Sequence, residues 1–229
     1  MSSALKRVLL LKPGVASSRA VLGDYEVWFE RAAGAQMKPV ELHAGESPPS
    51  ARGFDAVIMT GSPMTVTGEP LDWMKRAADF LVETAEQGTP VFGVCFGHQL
   101  LAWRHGAQVI RNPRGRELGT VDVELTQAGA ASPLFFGFPR TFDVQATHYD
   151  EVIDPPSSLE VLARNQHSAV QAFRAGPRSW GVQFHPEMDR ASIQYCIDDT
   201  VTLAEDRARA VARETPFGAR LLRQFLTLV

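Results

Sequence analysis

Gly93-Val94-Cys95-Phe96-Gly97-His98-Gln99 carries one of only two cysteines, set after an apolar run and before a helical pattern. A thiol on a strand-to-helix corner stands above its sheet and faces a helix N-terminus. The positive end of that dipole favours thiolate, lowering the pKa from about 8.5 for a free cysteine. Glycine on both sides, at positions 93 and 97, suits a sharp elbow. Ninety residues on (185 − 95), Gly181-Val182-Gln183-Phe184-His185-Pro186-Glu187 reads as a strand ending in a histidine, with a carboxylate two positions later. Pro186 biases His185 toward extended backbone, where side chains at i and i+2 share one side. Glu187 is then expected to hold one imidazole nitrogen while the other takes the thiol proton. Cysteine, histidine and acid are the three parts of an activated nucleophile.

A third element is Thr60-Gly61-Ser62-Pro63, after the apolar run Phe54–Thr60. The bare N–H of Gly61 can approach a substrate closely and, with the N–H of Phe96, would form an oxyanion hole. The second cysteine, Cys196, lies in a helical stretch without glycine and reads as core filler. His43, His105 and His167 have no ligand spacing, so no metal is expected. No phosphate-cradling glycine loop is present, so no nucleotide or other cofactor is expected.

These residues need a scaffold. Val8–Leu11, Pro39–His43, Phe54–Thr60 and Val91–Val94 are strand candidates, alternating with helical patterns at Val21–Ala33 and Leu71–Gln87. Such alternation predicts a parallel sheet with helices on its faces and reactive groups at the carboxyl ends of strands. Short punctuated runs then occur at Gly119–Thr126, Thr141–Thr147, Leu159–Arg164, Ala169–Arg174 and Trp180–Phe184. They predict an antiparallel extension of that sheet. Helices are expected over Arg190–Arg213 and Phe217–Leu228, the latter docking back onto the domain. The expected fold is α/β with a mostly parallel central sheet, in a single domain over residues 1–229. The motifs lie within about 8–187, and the terminal helices in about 190–229.

Composition is that of an ordinary globular protein. Apolar residues make up 45% of the 229 and charged residues 21%, with a net charge of −3. Such a balance gives no basic surface for nucleic acid. Two cysteines are too few for a disulfide framework and suit a reducing compartment. No run approaches a membrane span of about 20 apolar residues. A soluble, cytoplasmic protein is expected, and an oligomer is left open.

Gly93–Gln99, Trp180–Glu187 and Thr60–Pro63, in that order and spacing, resemble the class I (triad) glutamine amidotransferases. The likeness is greatest to the glutaminase domain of GMP synthase and its stand-alone relatives, a flavodoxin-like architecture. Arg111–Gly119 and Thr147-His148-Tyr149-Asp150-Glu151-Val152 are weaker matches. The resemblance implies hydrolysis of glutamine to glutamate and ammonia through a γ-glutamyl thioester on Cys95. His185 would be base then acid, Glu187 its orienting partner, and Gly61 and Phe96 the oxyanion donors. Gln99 would bond the substrate, and the backbone of Thr147, His148 and Tyr149 would hold its α-amino and α-carboxylate ends. Tyr149 stands where the family carries glycine, which adds bulk at the rim. The small-molecule substrate is therefore glutamine or another γ-glutamyl compound. In the first case the ammonia would pass to a separate ATP-dependent synthetase. In the second, the chain would be a γ-glutamyl peptide or amide hydrolase acting alone. A non-catalytic regulatory homologue and a protease-type acyl transferase are the remaining readings.

Overall fold

The computed structural model describes residues 5–200 and 210–229. Strand β1 (Arg7–Lys12) shows how the layers form. Val8, Leu9, Leu10 and Leu11 are all fully buried, Val8 and Leu10 in one apolar cluster, Leu9 and Leu11 in another. A strand buried on both faces must be covered by helices above and below.

The next elements are α1 (Arg19–Leu22), α2 (Tyr25–Ala33), β2 (Gln36–Glu41), β3 (Ala56–Met59), α3 (Asp72–Glu86), β4 (Val91–Val94) and α4 (Phe96–Arg104). Then come β5 (Gln108–Arg111), β6 (Glu117–Leu125), α5 (Gln127–Ala131), β7 (Thr141–His148), β8 (Asp150–Ile153), β9 (Leu159–Arg164), β10 (Ala172–Ala175) and β11 (Ser179–Val182). Two further helices are α6 (Arg190–Thr200) and α7 (Pro216–Thr227). The large sheet runs β2-β1-β3-β4-β11-β10-β9-β6-β7, and β5 pairs β8 separately. From β2 to β11 every pairing is parallel, and from β11 to β7 every pairing is antiparallel. Helices α3 and α4 pack on one face, and α2, α6 and α7 on the other. No helix among the described residues is long and apolar enough to cross a membrane.

Several boundaries differ from the sequence reading, each for a local reason. The helix expected over Val21–Ala33 is broken at Gly23, whose φ of 80° no helix admits. Asp24 restarts it as N-cap, its carboxylate accepting the Tyr25 N–H. Leu71, where the helical pattern begins in the sequence, is the N-cap of α3 and is 52% exposed. Strand β2 begins at Gln36, and a 3₁₀ turn (Leu42–Ala44) replaces its expected end. Residues 210–215 are not helical, so the helix expected over Arg190–Arg213 is shorter. Residues 201–209 of that expected helix lie outside the described part.

Candidate active site

Three neighbouring strands end side by side at one edge of the parallel half. Met59 of β3 is in register with Gly93 of β4, and Val94 of β4 with Val182 of β11. Neighbouring strands lie about 4.8 Å apart. Gly61, Cys95 and His185, each just beyond the end of one of them, therefore converge without any long reach.

Cys95 is the hinge of the β4–α4 elbow. Its φ of 50° and ψ of −99° lie outside the ordinary regions for an L residue, and α4 begins at the next residue. Such a conformation costs about 1–3 kcal/mol and persists only where the surroundings enforce it. Here they do: the Cys95 N–H donates to Val182 C=O at 2.8 Å, and its carbonyl accepts the Gln99 N–H at 3.0 Å. The flanking glycines serve closeness rather than unusual dihedrals. A Cβ on Gly93 would lie 2.5 Å from Gly97 O, and one on Gly97 would lie 2.6 Å from Met59 O. Helix α4 is thereby pressed onto the ends of β3 and β4.

His185 sits three residues past the end of β11, in a turn rather than in an extended strand. Its N–H donates to Gln145 C=O at 2.8 Å, and Met188 N–H donates back to His185 C=O at 3.3 Å. This turn, not alternation along a strand, brings Glu187 Oε1 to 2.8 Å from His185 Nδ1. Nε2 is buried and has no nitrogen or oxygen partner among the described residues, and besides Glu187 the side chain that interacts with the ring is Cys95. Burial alone would push the imidazole pKa down. The negative charges of Glu187 and of a Cys95 thiolate outweigh it and hold His185 well above its usual 6.5. A Cβ on Gly61 would lie 2.8 Å from His185 Cε1 and 3.6 Å from Cys95 Cβ. The Gly61 backbone thus touches both side chains, and its carbonyl accepts the Thr60 hydroxyl at 2.9 Å. Phe96 buries its ring against Trp73, while its N–H opens α4, where no intrahelical acceptor exists.

The cleft above these groups encloses about 690 Å³. Gln99 lines it and is clamped: Nε2 donates to Asp150 C=O and to Gln183 Oε1, both at 3.1 Å. Both amide hydrogens are used, which leaves Oε1 as an acceptor. Thr147, His148 and Tyr149 also line it. His148 is anchored rather than free, with Nε2 at 2.8 Å from Glu117 Oε2 and Nδ1 at 3.0 Å from Asp150 C=O. Burial would raise the Glu117 carboxyl, but His148, Asn165 and Gln171 hold it below its usual range. Tyr149 is 42% exposed, with the Arg111 guanidinium 3.9 Å from its ring centroid.

Other cleft residues are not marked by the sequence. Arg116 and Arg111 fall inside the Arg111–Gly119 match, but nothing in that run shows either facing the cleft. Cys196, expected as core filler, is in the core and also lines the cleft. The Val15–Ser17 wall depends on a buried ion cluster. Lys12 Nζ, 1% exposed, meets Asp24 at 2.8 Å, Glu26 at 2.7 Å and Glu41 at 2.8 Å. Burial would lower the Lys12 pKa, but the three carboxylates raise it overall. Asp24 then uses Oδ1 to accept the Ala16 N–H at 2.9 Å, fixing the wall. A lysine closing the apolar strand β1 could have signalled such a cluster, since burial of an unpaired charge is prohibitive.

Comparison with known proteins bears on the family and the fold. The glutamine amidotransferase class-I family model matches residues 29–194. The GMP synthase [glutamine-hydrolyzing] of Aeropyrum pernix is 39% identical over 144 residues, 63% of this chain and 26% of that protein. The chain thus spans about a quarter of that relative's length. One subunit of the GMP synthase [glutamine-hydrolyzing] of Saccharolobus solfataricus is 33% identical over 152 residues, 66% of this chain and 72% of that subunit. Gamma-glutamyl peptidase 5 of Arabidopsis thaliana is 28% identical over 152 residues, 66% of this chain and 60% of that protein. The crystal structure of a glutamine amidotransferase from Thermotoga maritima superposes with a TM-score of 0.75 at 22% identity, covering 98% of this chain and 97% of that one.

Proposed function

This chain belongs to the class I glutamine amidotransferases, and from that membership we propose that it hydrolyses the γ-amide of glutamine through a thioester on Cys95. One observation carries the reading. The elbow at Cys95, the Gly61 backbone and the His185–Glu187 pair (2.8 Å) meet at one strand edge, where Cys95 is the imidazole's other side-chain partner.

Cys95 Sγ attacks the amide carbon, and the carbonyl oxygen takes up negative charge. The N–H groups of Gly61 and Phe96 stabilise that oxygen, each contributing about 10²–10³ in rate. His185 passes the thiol proton to the departing nitrogen as the C–N bond breaks, releasing ammonia and leaving the γ-glutamyl thioester. Water then attacks the thioester, His185 removing its proton and returning it to sulfur. Glu187 keeps the imidazole oriented and stabilises its charged form. Gln99, with only Oε1 uncommitted, accepts from the substrate, and the backbone of Thr147, His148 and Tyr149 holds its amino-acid end. A relative that is one subunit of a GMP synthase supports transfer of the ammonia to a separate synthetase.

A second reading is hydrolysis of γ-glutamyl peptides without a partner. The roomy cleft and the bulky Tyr149 at its rim favour it, as does the peptidase relative. The test is glutamate release by the purified chain from glutamine and from γ-glutamyl dipeptides, with Cys95→Ala as control. Release that depends on Cys95 is expected. Release that survives Cys95→Ala would overturn both readings, because neither has another nucleophile.

A further inference from the structure

The start of β6 fixes where Arg116 stands. Glu117, the first residue of that strand, is in register with His148 of β7, and their side chains meet at 2.8 Å. Arg116 is therefore rooted beside the Thr147–Tyr149 segment, and its head is held there too. Nη2 donates to Thr147 Oγ1 at 2.6 Å, and the guanidinium lies 5.0 Å from the Tyr149 ring centroid. Cys196, another residue of the cleft wall, feels the positive charges of both a protonated His185 and Arg116. The cation thus belongs to the cleft, at the segment assigned above to the substrate's amino-acid end.

No carboxylate among the described residues pairs with it. Thr147 and Tyr149 are neutral, so they orient the group without neutralising it. Its Nε is buried and has no acceptor among the described residues. Glu117 is committed to His148, Asn165 and Gln171. Asp150 accepts the Thr65 hydroxyl at 2.6 Å and faces Arg111 at 3.9 Å. The two cleft arginines therefore differ, Arg111 having a counter-ion and Arg116 none among the described residues. A guanidinium held this way presents a planar fork of donors that matches a carboxylate in both charge and geometry. Glutamine and γ-glutamyl dipeptides share one glutamyl half, which carries an α-carboxylate and an α-ammonium. A cation attracts the first and repels the second. We propose that Arg116 is a specificity-determining residue that binds the α-carboxylate of the glutamyl group. The inference rests on the γ-glutamyl thioester reading above, whichever of the two substrates is the natural one.

The test uses competitive inhibition, because a Ki does not depend on how much of a variant folds. Glutamate, 4-aminobutyrate (no α-carboxylate) and glutarate (no α-amino group) each compete with glutamine or γ-glutamylalanine, whichever the wild type turns over. Ammonia or alanine release is read in the wild type, Arg116→Met and Arg116→Lys. In the wild type, 4-aminobutyrate should inhibit about 10–100-fold more weakly than glutamate, as loss of a charge-assisted hydrogen bond would give. Arg116→Met should weaken glutamate and glutarate by about that factor, leave 4-aminobutyrate unchanged, and raise KM more than it lowers kcat. Arg116→Lys should recover part of the loss. Equal weakening of all three inhibitors would reveal a merely structural role and overturn the inference, as would weakening of none. Weakening of glutamate and 4-aminobutyrate with glutarate spared would also overturn it, by placing the α-amino group at Arg116. So would a folded Arg116→Met without turnover at any substrate concentration, because a carboxylate-binding residue acts through KM. Turnover that survives Cys95→Ala, or none by the wild type, would overturn the thioester reading and the inference with it.

Discussion

Gly61 and His185 are in contact so close that the glycine's missing Cβ is part of the site. Gly61→Ala would place a methyl 2.8 Å from His185 Cε1, and one of the two must move. We expect kcat to fall at least about 10²-fold with little change in thermal stability, read from steady-state kinetics beside a melting curve. Glu187→Gln tests the charge argument. Because the folded pKa of His185 is raised, its contribution to stability is complete below about pH 6.5. It is lost as pH rises through the folded value. Urea titrations across neutral and alkaline pH should therefore show a stability decline in the wild type that is smaller in Glu187→Gln, together with a kcat lower by about 10²–10⁴. The nucleophile, base and acid were legible because each lies in a short contiguous motif. Arg116 was not, because whether an arginine in a loop faces a cleft or solvent is decided by a contact 31 residues away, at Thr147.

At the scale of elements, the β4–α4 elbow trades stability for exposure of its thiol. Cys95→Gly removes the positive-φ strain of about 1–3 kcal/mol but adds the chain entropy of glycine, about 0.5–1 kcal/mol. Relative to Cys95→Ala, also inactive, Cys95→Gly should be more stable by about 1 kcal/mol in urea denaturation. Equal stability would show that the elbow is unstrained. The buried strands were legible as apolar runs, and Leu159–Arg164 falls where its pattern puts it. Strands β5 and β8 were missed. They form a two-stranded ribbon at the cleft rim, and only Val109 and Val152 of their central residues carry β-branched side chains to the core. Pro186 signalled extended backbone at His185, whereas the turn that seats Glu187 depends on Gln145, 40 residues earlier (185 − 145).

For the whole molecule, the core extends past the segment shared with the family model, which ends at residue 194. Phe225 of α7 is fully buried, 4.9 Å from the Phe92 ring and 5.9 Å from Trp180, against β4 and β11, the strands that lead to Cys95 and His185. Phe225→Ala should cost about 3–5 kcal/mol and lower activity only in proportion to unfolding. A loss of kcat in fully folded protein would contradict that division. His98, wholly buried, also governs global stability. Burial lowers its pKa to about 3, with partial relief from the Gly181 and Val170 backbone. The unfolded chain therefore binds a proton below about pH 6.5 that the native state refuses. Stability should fall by about 1.4 kcal/mol per pH unit from there toward about pH 3. His98→Asn should reduce that slope by one proton in acid titrations.

Trp28 lies 1% exposed in the wall shared with Cys95, its indole N–H fixed to Leu22 C=O at 2.9 Å. The molecule therefore contains its own optical reporter. A ligand entering the cleft changes the polarity seen by an indole that cannot rotate away, and its emission should shift in colour as well as intensity. With Cys95→Ala the enzyme could hold substrate without consuming it. Fluorescence titration of that variant, with Trp28→Phe as the control that keeps only the signal of Trp73, Trp103 and Trp180, would then give affinities separately from turnover.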